Sequence, residues 1–99
     1  MSTPVRLYRA MSSAEAEQTL RDGKPSFLRR WKWFSPYREW VEDRVMGGSF
    51  NNSRFLPERY AILLRFTVED DGAFIRKDKE WALDRRKKQM VKWIAVEQV

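Results

Sequence analysis

The chain has 99 residues, enough for one domain that buries roughly two-thirds of the surface exposed by the unfolded chain. Hydrophobic residues make up 42% and charged residues 34%, which is typical of a compact domain and argues against a disordered chain, a collagen or a coiled coil. There are 20 basic and 14 acidic residues, and no cysteine or histidine. This composition excludes disulfides, thiolate nucleophiles, cysteine–histidine zinc sites and histidine acid–base catalysis.

The net charge of +6 favours an anionic partner, such as a nucleotide, a nucleic acid or an acidic protein. The longest uninterrupted apolar run covers residues 60–64, far short of the roughly 20 residues that cross a bilayer. Residues 1–4 lack the apolar stretch of a signal peptide. We therefore expect a cytoplasmic protein that makes no contact with a membrane.

The first strand and the first helix are predicted from alternation and from helix caps. Residues 5–9 alternate apolar and basic side chains, the period of a half-buried strand. Ser12 and Glu15 have the spacing of a capping box, in which the serine oxygen accepts a backbone amide and the glutamate reaches back. The predicted helix runs through Arg21, and Gly23 supplies the left-handed residue that ends it.

A second strand is predicted over residues 30–34, where basic and aromatic side chains alternate. Its two faces carry different residues: Trp31 and Trp33 on one, and Arg30, Lys32 and Phe34 on the other. A small domain has few other large residues to bury, so several tryptophans must form its core. We therefore expect the two tryptophans to face the core and the basic residues to face solvent.

A second helix is predicted after Ser35 and Pro36, because serine is a favoured N-cap and proline fits the first helical turn. One face of this helix carries Tyr37, Trp40, Val41, Arg44 and Val45. Glycine, asparagine and proline punctuate the segment that follows. We expect a mobile loop over residues 47–58.

The second half of the chain is predicted to be mostly strands. Residues 60–68 are rich in apolar and β-branched side chains and predict the central strand. The carboxylates of residues 69–71 precede Gly72, a pattern of turn chemistry rather than of a metal site. The remaining elements are a returning strand over 73–75, a strand over 80–83, a charged turn over 84–89 and a last strand over 90–96. The sum is a single α+β domain over residues 1–99, in the order β-α-β-α followed by three or four strands.

Three short motifs occur in a recognisable order along the chain. The first motif is Leu-Tyr-Arg-Ala-Met-Ser-Ser-Ala-Glu at residues 7–15. The second is Lys-Trp-Phe-Ser at residues 32–35, directly before a predicted helix. The third is Glu80, in the C-terminal part of the chain. Together they resemble the ADP-ribosyltransferase family of the arginine–serine–glutamate type. In that family an arginine ends the first strand, an aromatic residue with serine or threonine follows on a later strand, and a glutamate lies near the C-terminus.

The resemblance implies an ADP-ribosyltransferase-like fold and a mono-ADP-ribosyltransferase or NAD glycohydrolase without a metal. Carried over by motif, Arg9 holds the NAD pyrophosphate, Ser35 orders the site and Glu80 is the catalytic glutamate. The implied partners are NAD and an acceptor that is a protein or a nucleic acid. Tyr8, Trp33, Phe34 and Tyr37 are the candidate cofactor-binding aromatic residues, whose rings suit stacking on nicotinamide.

Two motifs depart from the family pattern. The Ser-Thr-Ser sequence is replaced here by Ser35, Pro36 and Tyr37, and Asp78 stands where a glutamate or glutamine usually precedes the catalytic glutamate by two residues. A member that keeps the fold without the chemistry is therefore a further possibility.

Each proposed site residue also has an ordinary structural interpretation. Arg9 at a strand end is also explained as a solvated charge or as a partner for Glu15 or Glu17. Ser35 is explained by helix capping, and Glu80 lies among alternating charges that suit a solvated surface.

Cleavage of the nicotinamide–ribose bond develops positive charge on the ribose, which a nearby carboxylate stabilises in the transition state.

The alternative function is a non-catalytic basic module that binds nucleic acid or an acidic protein. Its candidate residues are four adjacent cations, Arg85, Arg86, Lys87 and Lys88. Because the predicted second strand places its tryptophans and its cations on opposite faces, we do not expect them to bind one strand of RNA together.

Overall fold

The structure is a computed structural model that describes residues 3–46 and 61–99. The elements, in chain order, are β1 (Val5–Met11), α1 (Ser13–Asp22), β2 (Trp31–Phe34), α2 (Arg38–Val41), a π-helical segment (Glu42–Met46), β3 (Ile62–Asp70), β4 (Phe74–Lys77), β5 (Glu80–Asp84), a 3-10 helix (Arg85–Met90) and β6 (Val91–Gln98). This is the predicted α+β architecture, with four strands in the described residues 61–99. The loop predicted over 47–58 lies outside the described residues.

The strands form two antiparallel sheets. The first sheet has the order β1-β3-β6 and the second the order β2-β5-β4. A bridge between Tyr8 and Ser35 joins the sheets. Each of these residues donates its backbone N–H to the carbonyl of the other, at 2.7 and 2.9 Å. The bridge therefore fixes β1 beside the end of β2.

The main core lies between the inner faces of the two sheets. Leu7, Leu64 and Phe66 enter it from the first sheet, and Phe34 and Leu83 from the second. The rings of Phe34 and Phe66 meet edge to face at 5.2 Å between centroids. This aromatic contact places β2 over β3, on the inner face of the first sheet, where Leu7 also lies.

A smaller cluster covers part of the opposite face of the first sheet. Val41 of α2 is buried there with Ala10 and Leu63, and Tyr8 and Trp40 pack around them. The short α2 therefore covers the side of β1 that points away from the main core. No helix in the described ranges is long and apolar enough to cross a bilayer.

The prediction for the two faces of β2 was wrong. Trp31 and Trp33 are 38% and 44% exposed, whereas Lys32 and Phe34 are only 8% and 3% exposed. Side chains on a strand alternate, so the face that carries Phe34 into the core carries Lys32 with it and leaves both tryptophans outside. Burial of Lys32 is offset by a carboxylate partner, Glu15.

The helix caps follow the sequence at α1 and depart from it at α2. Ser12 is the N-cap of α1 and its Oγ accepts the N–H of Glu15. Gly23 ends the helix at a φ of +72°, as predicted. Ser35 does not cap α2: Tyr37 is the N-cap, without a side-chain bond. Because the bridge to Tyr8 holds Ser35 in extended backbone, its Oγ instead accepts the N–H of Tyr37 at 3.0 Å.

Asp70, the last residue of β3, stabilises the predicted turn between β3 and β4. Asp70 accepts the backbone N–H of Ala73 on Oδ1 at 2.7 Å. Its Oδ2 accepts from Arg76 at 3.3 Å. Within residues 3–46 and 61–99, no group of three or more carboxylates is arranged to hold a metal ion.

Candidate functional site

An open pocket of about 490 Å³ lies where the end of β1, the first turn of α1 and the segment before β2 meet. The lining residues that bear on its chemistry are Arg9, Glu15, Ser26, Arg29, Trp31 and Lys32. We call it the Arg9 pocket. Its full lining combines three cations, one carboxylate, an aromatic ring, the Gln18 amide and the hydroxyls of Ser12 and Ser26.

Glu15 is the centre of the charged cluster in this pocket. Its Oε2 lies 3.0 Å from Arg9 Nε and 3.1 Å from Lys32 Nζ. Arg9 Nη2 donates to the other carboxylate oxygen at 3.4 Å, and Arg9 Nη1 donates to the carbonyl of Trp33 at 3.2 Å. One carboxylate is therefore shared between two cations, and Arg9 is tied to both α1 and β2.

Local folding explains why these three side chains meet. Arg9 follows Leu7 on the inner side of β1, at the rim of the core. Glu15 lies in the first turn of α1, where the helix dipole also favours a negative charge. Lys32 enters from the inner face of β2, and its Nζ lies 5.5 Å from the centre of the Phe27 ring.

The electrostatics of the cluster leave an excess of positive charge. Burial alone raises the pKa of the Glu15 carboxyl, but the charges and hydrogen bonds of Arg9 and Lys32 outweigh this and hold that pKa below its usual value. The pKa of Lys32 is lowered, by burial first and then by the charge of Arg9, although Glu15 opposes the shift. An anion entering the pocket relieves the repulsion between these cations.

Ser35 lies outside the Arg9 pocket. It is 1% exposed, its backbone bridges to Tyr8, and its hydroxyl is bonded to the backbone of Tyr37. These contacts hold the junction between the two sheets. They do not direct the hydroxyl toward Arg9.

Glu80 begins β5 and pairs in register with Lys77 of β4. Its neighbour Trp81 faces the core, so Glu80 points to the opposite side of the second sheet. Arg9 contacts Glu15, which also pairs with Lys32, a residue on the inner side of that sheet. The structure therefore brings Arg9 together with Glu15 and Lys32, and it places Glu80 on the other face.

The four candidate aromatic residues occupy different environments. Phe34 is 3% exposed and its ring packs against three aromatic rings of the core, so it presents no face to a ligand. Tyr8 is half-buried in the cluster beneath α2. Trp33 and Tyr37 are 44% and 52% exposed, but the aromatic residue that lines the Arg9 pocket is Trp31.

The four cations of the alternative interpretation lie in the 3-10 helix, and all four are exposed: Arg85, Arg86, Lys87 and Lys88. Asp84, immediately before them, pairs with Arg86 at 3.0 Å and with Arg30 at 3.1 Å. Hydrogen bonds from Arg86 first, and then from Arg30, hold the pKa of Asp84 well below its usual range. The sequence pattern identified the cations, but not the carboxylate that organises two arginines beside β2.

Sequence reasoning also missed Lys32 and the pocket role of Glu15. Glu15 is three residues after Ser12, which predicts a capping box, yet its side chain turns to Arg9 and Lys32 instead. The signal for Lys32 is the strand alternation itself, because whichever face buries Phe34 must also bury Lys32. The Arg9–Glu15 ion pair, one of the ordinary interpretations of Arg9, is confirmed.

The comparisons with known proteins add no family assignment. The chain matches no known protein-family profile, and it has no significant match among curated proteins.

Proposed function

We propose that this chain binds a dinucleotide of the NAD class in the Arg9 pocket. The observation that carries the proposal is the convergence of three cations and Trp31 on one open pocket. The resemblance to ADP-ribosyltransferases, whose arginine corresponds to Arg9, supports NAD as the ligand and an ADP-ribosyltransferase-like fold.

The charge of the pocket suits a pyrophosphate. Arg9, Arg29 and Lys32 against Glu15 leave a formal excess of two positive charges, equal to the two negative charges of a pyrophosphate. A guanidinium fork pairs with phosphate oxygens bidentately, which a lysine cannot do. Trp31 offers an aromatic face on which a base or nicotinamide stacks.

The proposed reaction is ADP-ribosyl transfer or NAD hydrolysis. The bond between the nicotinamide nitrogen and the ribose carbon breaks, its electron pair leaves with nicotinamide, and an acceptor hydroxyl, amine or water bonds to that carbon and loses a proton. A carboxylate stabilises the oxocarbenium-like transition state. The resemblance gives this role to Glu80, whereas the carboxylate inside the pocket is Glu15.

Binding is tested by titrating NAD and following tryptophan fluorescence. We expect Arg9→Ala to weaken NAD binding by about tenfold or more, the loss of a charge-assisted hydrogen bond. Arg6→Ala is the matched control, because Arg6 is an exposed arginine of the same strand outside the pocket lining. Equal affinities for the two variants, with both folded by circular dichroism, would contradict the binding proposal.

Catalysis is tested separately by measuring nicotinamide release from NAD in the presence of a cell lysate as a source of acceptors. Glu80 lies on the opposite face of the second sheet from Arg9, so Glu80→Gln tests the role that the resemblance gives it. Loss of release in this variant would support that role and contradict binding of NAD in the Arg9 pocket. If the pocket carboxylate acts, Glu15→Gln abolishes release and Glu80→Gln does not. If the wild-type protein binds NAD but releases nicotinamide no faster than buffer, the proposed reaction is contradicted. The proposed binding of NAD is not affected by that result.

A further inference from the structure

We infer that the outer face of the second sheet binds a single strand of nucleic acid. We define this outer face by Trp31 and Trp33 of β2, Ile75 and Lys77 of β4, and Glu80, Ala82 and Asp84 of β5. It is the face turned away from the main core, and it is distinct from the proposed dinucleotide site except at Trp31, which lies at the border of both.

The outer face is apolar and aromatic at its centre. Trp33 and Ile75 are each 44% exposed and flank Ala82 in register from both sides. Ala82 is only 2% exposed. Trp31 stands two residues from Trp33 on the same strand, about 7 Å away. This spacing is about twice the 3.4 Å per nucleotide of a stacked strand, so the two indole rings suit bases that have been unstacked from each other.

Cations are arranged along the margin of this aromatic centre. Arg30 lies over the ring of Trp31, with 5.4 Å between its Cζ and the ring centre. Asp84 holds Arg30 through Nε at 3.1 Å and Arg86 through Nη2 at 3.0 Å. Both arginine side chains remain more than half exposed. Two guanidinium groups are thus positioned by one carboxylate while keeping N–H groups directed to solvent.

The nitrogen that Arg30 uses matters for phosphate binding. Within the described part of the chain, only its Nε donates to Asp84, and neither Nη group has a hydrogen-bond acceptor. These groups form the fork that pairs with phosphate oxygens. Lys77 points to the same outer face as Ile75 and lies in register with Glu80, which offsets its charge. The exposed Lys87 and Lys88 extend the positive charge beyond Arg86.

The combination of features favours a single strand over other anionic partners. Stacking on tryptophan needs exposed base faces, which a duplex conceals within its own stack. An acidic protein pairs with the cations but has no bases to stack on the two tryptophans. The alternation of β2 alone argues against this arrangement, because it separates the cations of that strand from its tryptophans. The structure supplies cations from elsewhere, namely the residue before β2 and the 3-10 helix.

The test measures the anisotropy of a fluorescein-labelled 12-nucleotide single strand of DNA of mixed sequence. We expect binding whose logarithmic affinity falls with the logarithm of salt concentration at a slope of about −2, as three cations engage phosphates. Trp33→Ala is expected to weaken binding by about tenfold, and Trp33→Tyr to restore most of it, because a stacking ring remains. Arg86→Ala is expected to reduce the salt slope.

Ile94→Ala is the matched control, since Ile94 is 46% exposed on β6 of the other sheet. It should bind like the wild type. Three results would overturn the inference: equal affinity of Trp33→Ala and the control, equal affinity for the duplex of the same sequence, or displacement of the strand by polyglutamate at equal charge concentration. None of these measurements involves NAD, so they test nucleic-acid binding independently of the proposed NAD binding.

Discussion

Lys32 combines the burial of a core residue with the charge of a surface residue. Its carbon chain runs along the inner side of β2, and its ammonium group ends between Glu15 and the ring of Phe27. A buried ammonium is destabilising unless it is paired. Glu15 supplies that pair and also binds Arg9, so a single carboxylate stabilises two cations at the rim of the core.

The first prediction concerns stability and its dependence on pH. We expect Glu15→Gln to lower the free energy of unfolding at pH 7 by about 1–3 kcal/mol, because it leaves two neighbouring cations without their counter-charge. The folded state lowers the pKa of Glu15 below 4.5. This carboxylate therefore contributes its full stabilisation above that value, and the contribution is lost as the pH falls through the lowered pKa.

Urea unfolding of both proteins at pH 7 and pH 3 measures this effect. The difference in unfolding free energy between wild type and Glu15→Gln should shrink at pH 3. Asp84 also titrates in acid, but it is present in both proteins and its effect cancels. Glu17→Gln, on the exposed side of α1, should match the wild type at both pH values. A difference that stays constant with pH would refute the assigned role of Glu15.

At the scale of elements, β2 shows what alternation does and does not determine. Four residues divide cleanly into an inner pair, Lys32 and Phe34, and an outer pair, Trp31 and Trp33. The alternation of side chains predicts a strand and divides its residues between two faces. It does not determine which face is buried, and hydrophobicity favours the tryptophans over Lys32 for the interior. The structure reverses that preference, because the inter-sheet core already contains the rings that pack edge to face around Phe34.

The second prediction compares two neighbouring residues on opposite faces of this strand. Phe34→Ala should lower the free energy of unfolding by about 3–5 kcal/mol, as expected for a large aromatic removed from a packed core. Trp33→Ala should lower it by about 1 kcal/mol, because the ring is 44% exposed. Chemical denaturation of both variants provides the measurement. A larger loss for Trp33→Ala than for Phe34→Ala would show that the faces are assigned the wrong way round.

The third prediction concerns the end of α1. Gly23 adopts a φ of +72°, and a Cβ added there meets no atom within 4 Å. Any loss of stability when Gly23 is substituted therefore comes from backbone strain alone. We expect Gly23→Ala to lower the melting temperature, with a cost of about 1 kcal/mol, and Gly23→Asn to cost less, since asparagine tolerates this conformation better. Equal losses for the two variants would contradict this explanation.

At the scale of the whole molecule, the sequence predicts the order of elements well and the site poorly. Alternation, caps and turn residues are local signals, so the strands around Leu7, Phe66 and Ala82 and the helix that ends at Gly23 were predicted close to their observed bounds. Whether Arg9 and Glu80 meet depends on how two sheets are joined and which face each strand presents. Those properties arise from packing between distant segments, and one reversed face at β2 changes which residues share a pocket.

The division of the chain into two sheets also separates its two proposed binding regions. The Arg9 pocket opens at the rim of the inter-sheet core, and the outer face lies on the far side of the second sheet. Their common border is Trp31, next to Arg30. A ligand in either region thus alters the environment of the same indole, while Trp33 responds to the outer face alone.

The short strand β4 bears on how copies of this protein behave when crowded together. It pairs with β5 on one side, and within the described ranges its other side has no partner strand. Its last two residues are Arg76 and Lys77, and Arg76 is anchored by Asp70 and by the ring of Trp81, 4.1 Å away. Addition of a strand from a second copy must desolvate these charges. Such charged, abbreviated margins act as gatekeepers against aggregation, so pairing of a second copy's strand with β4 is disfavoured.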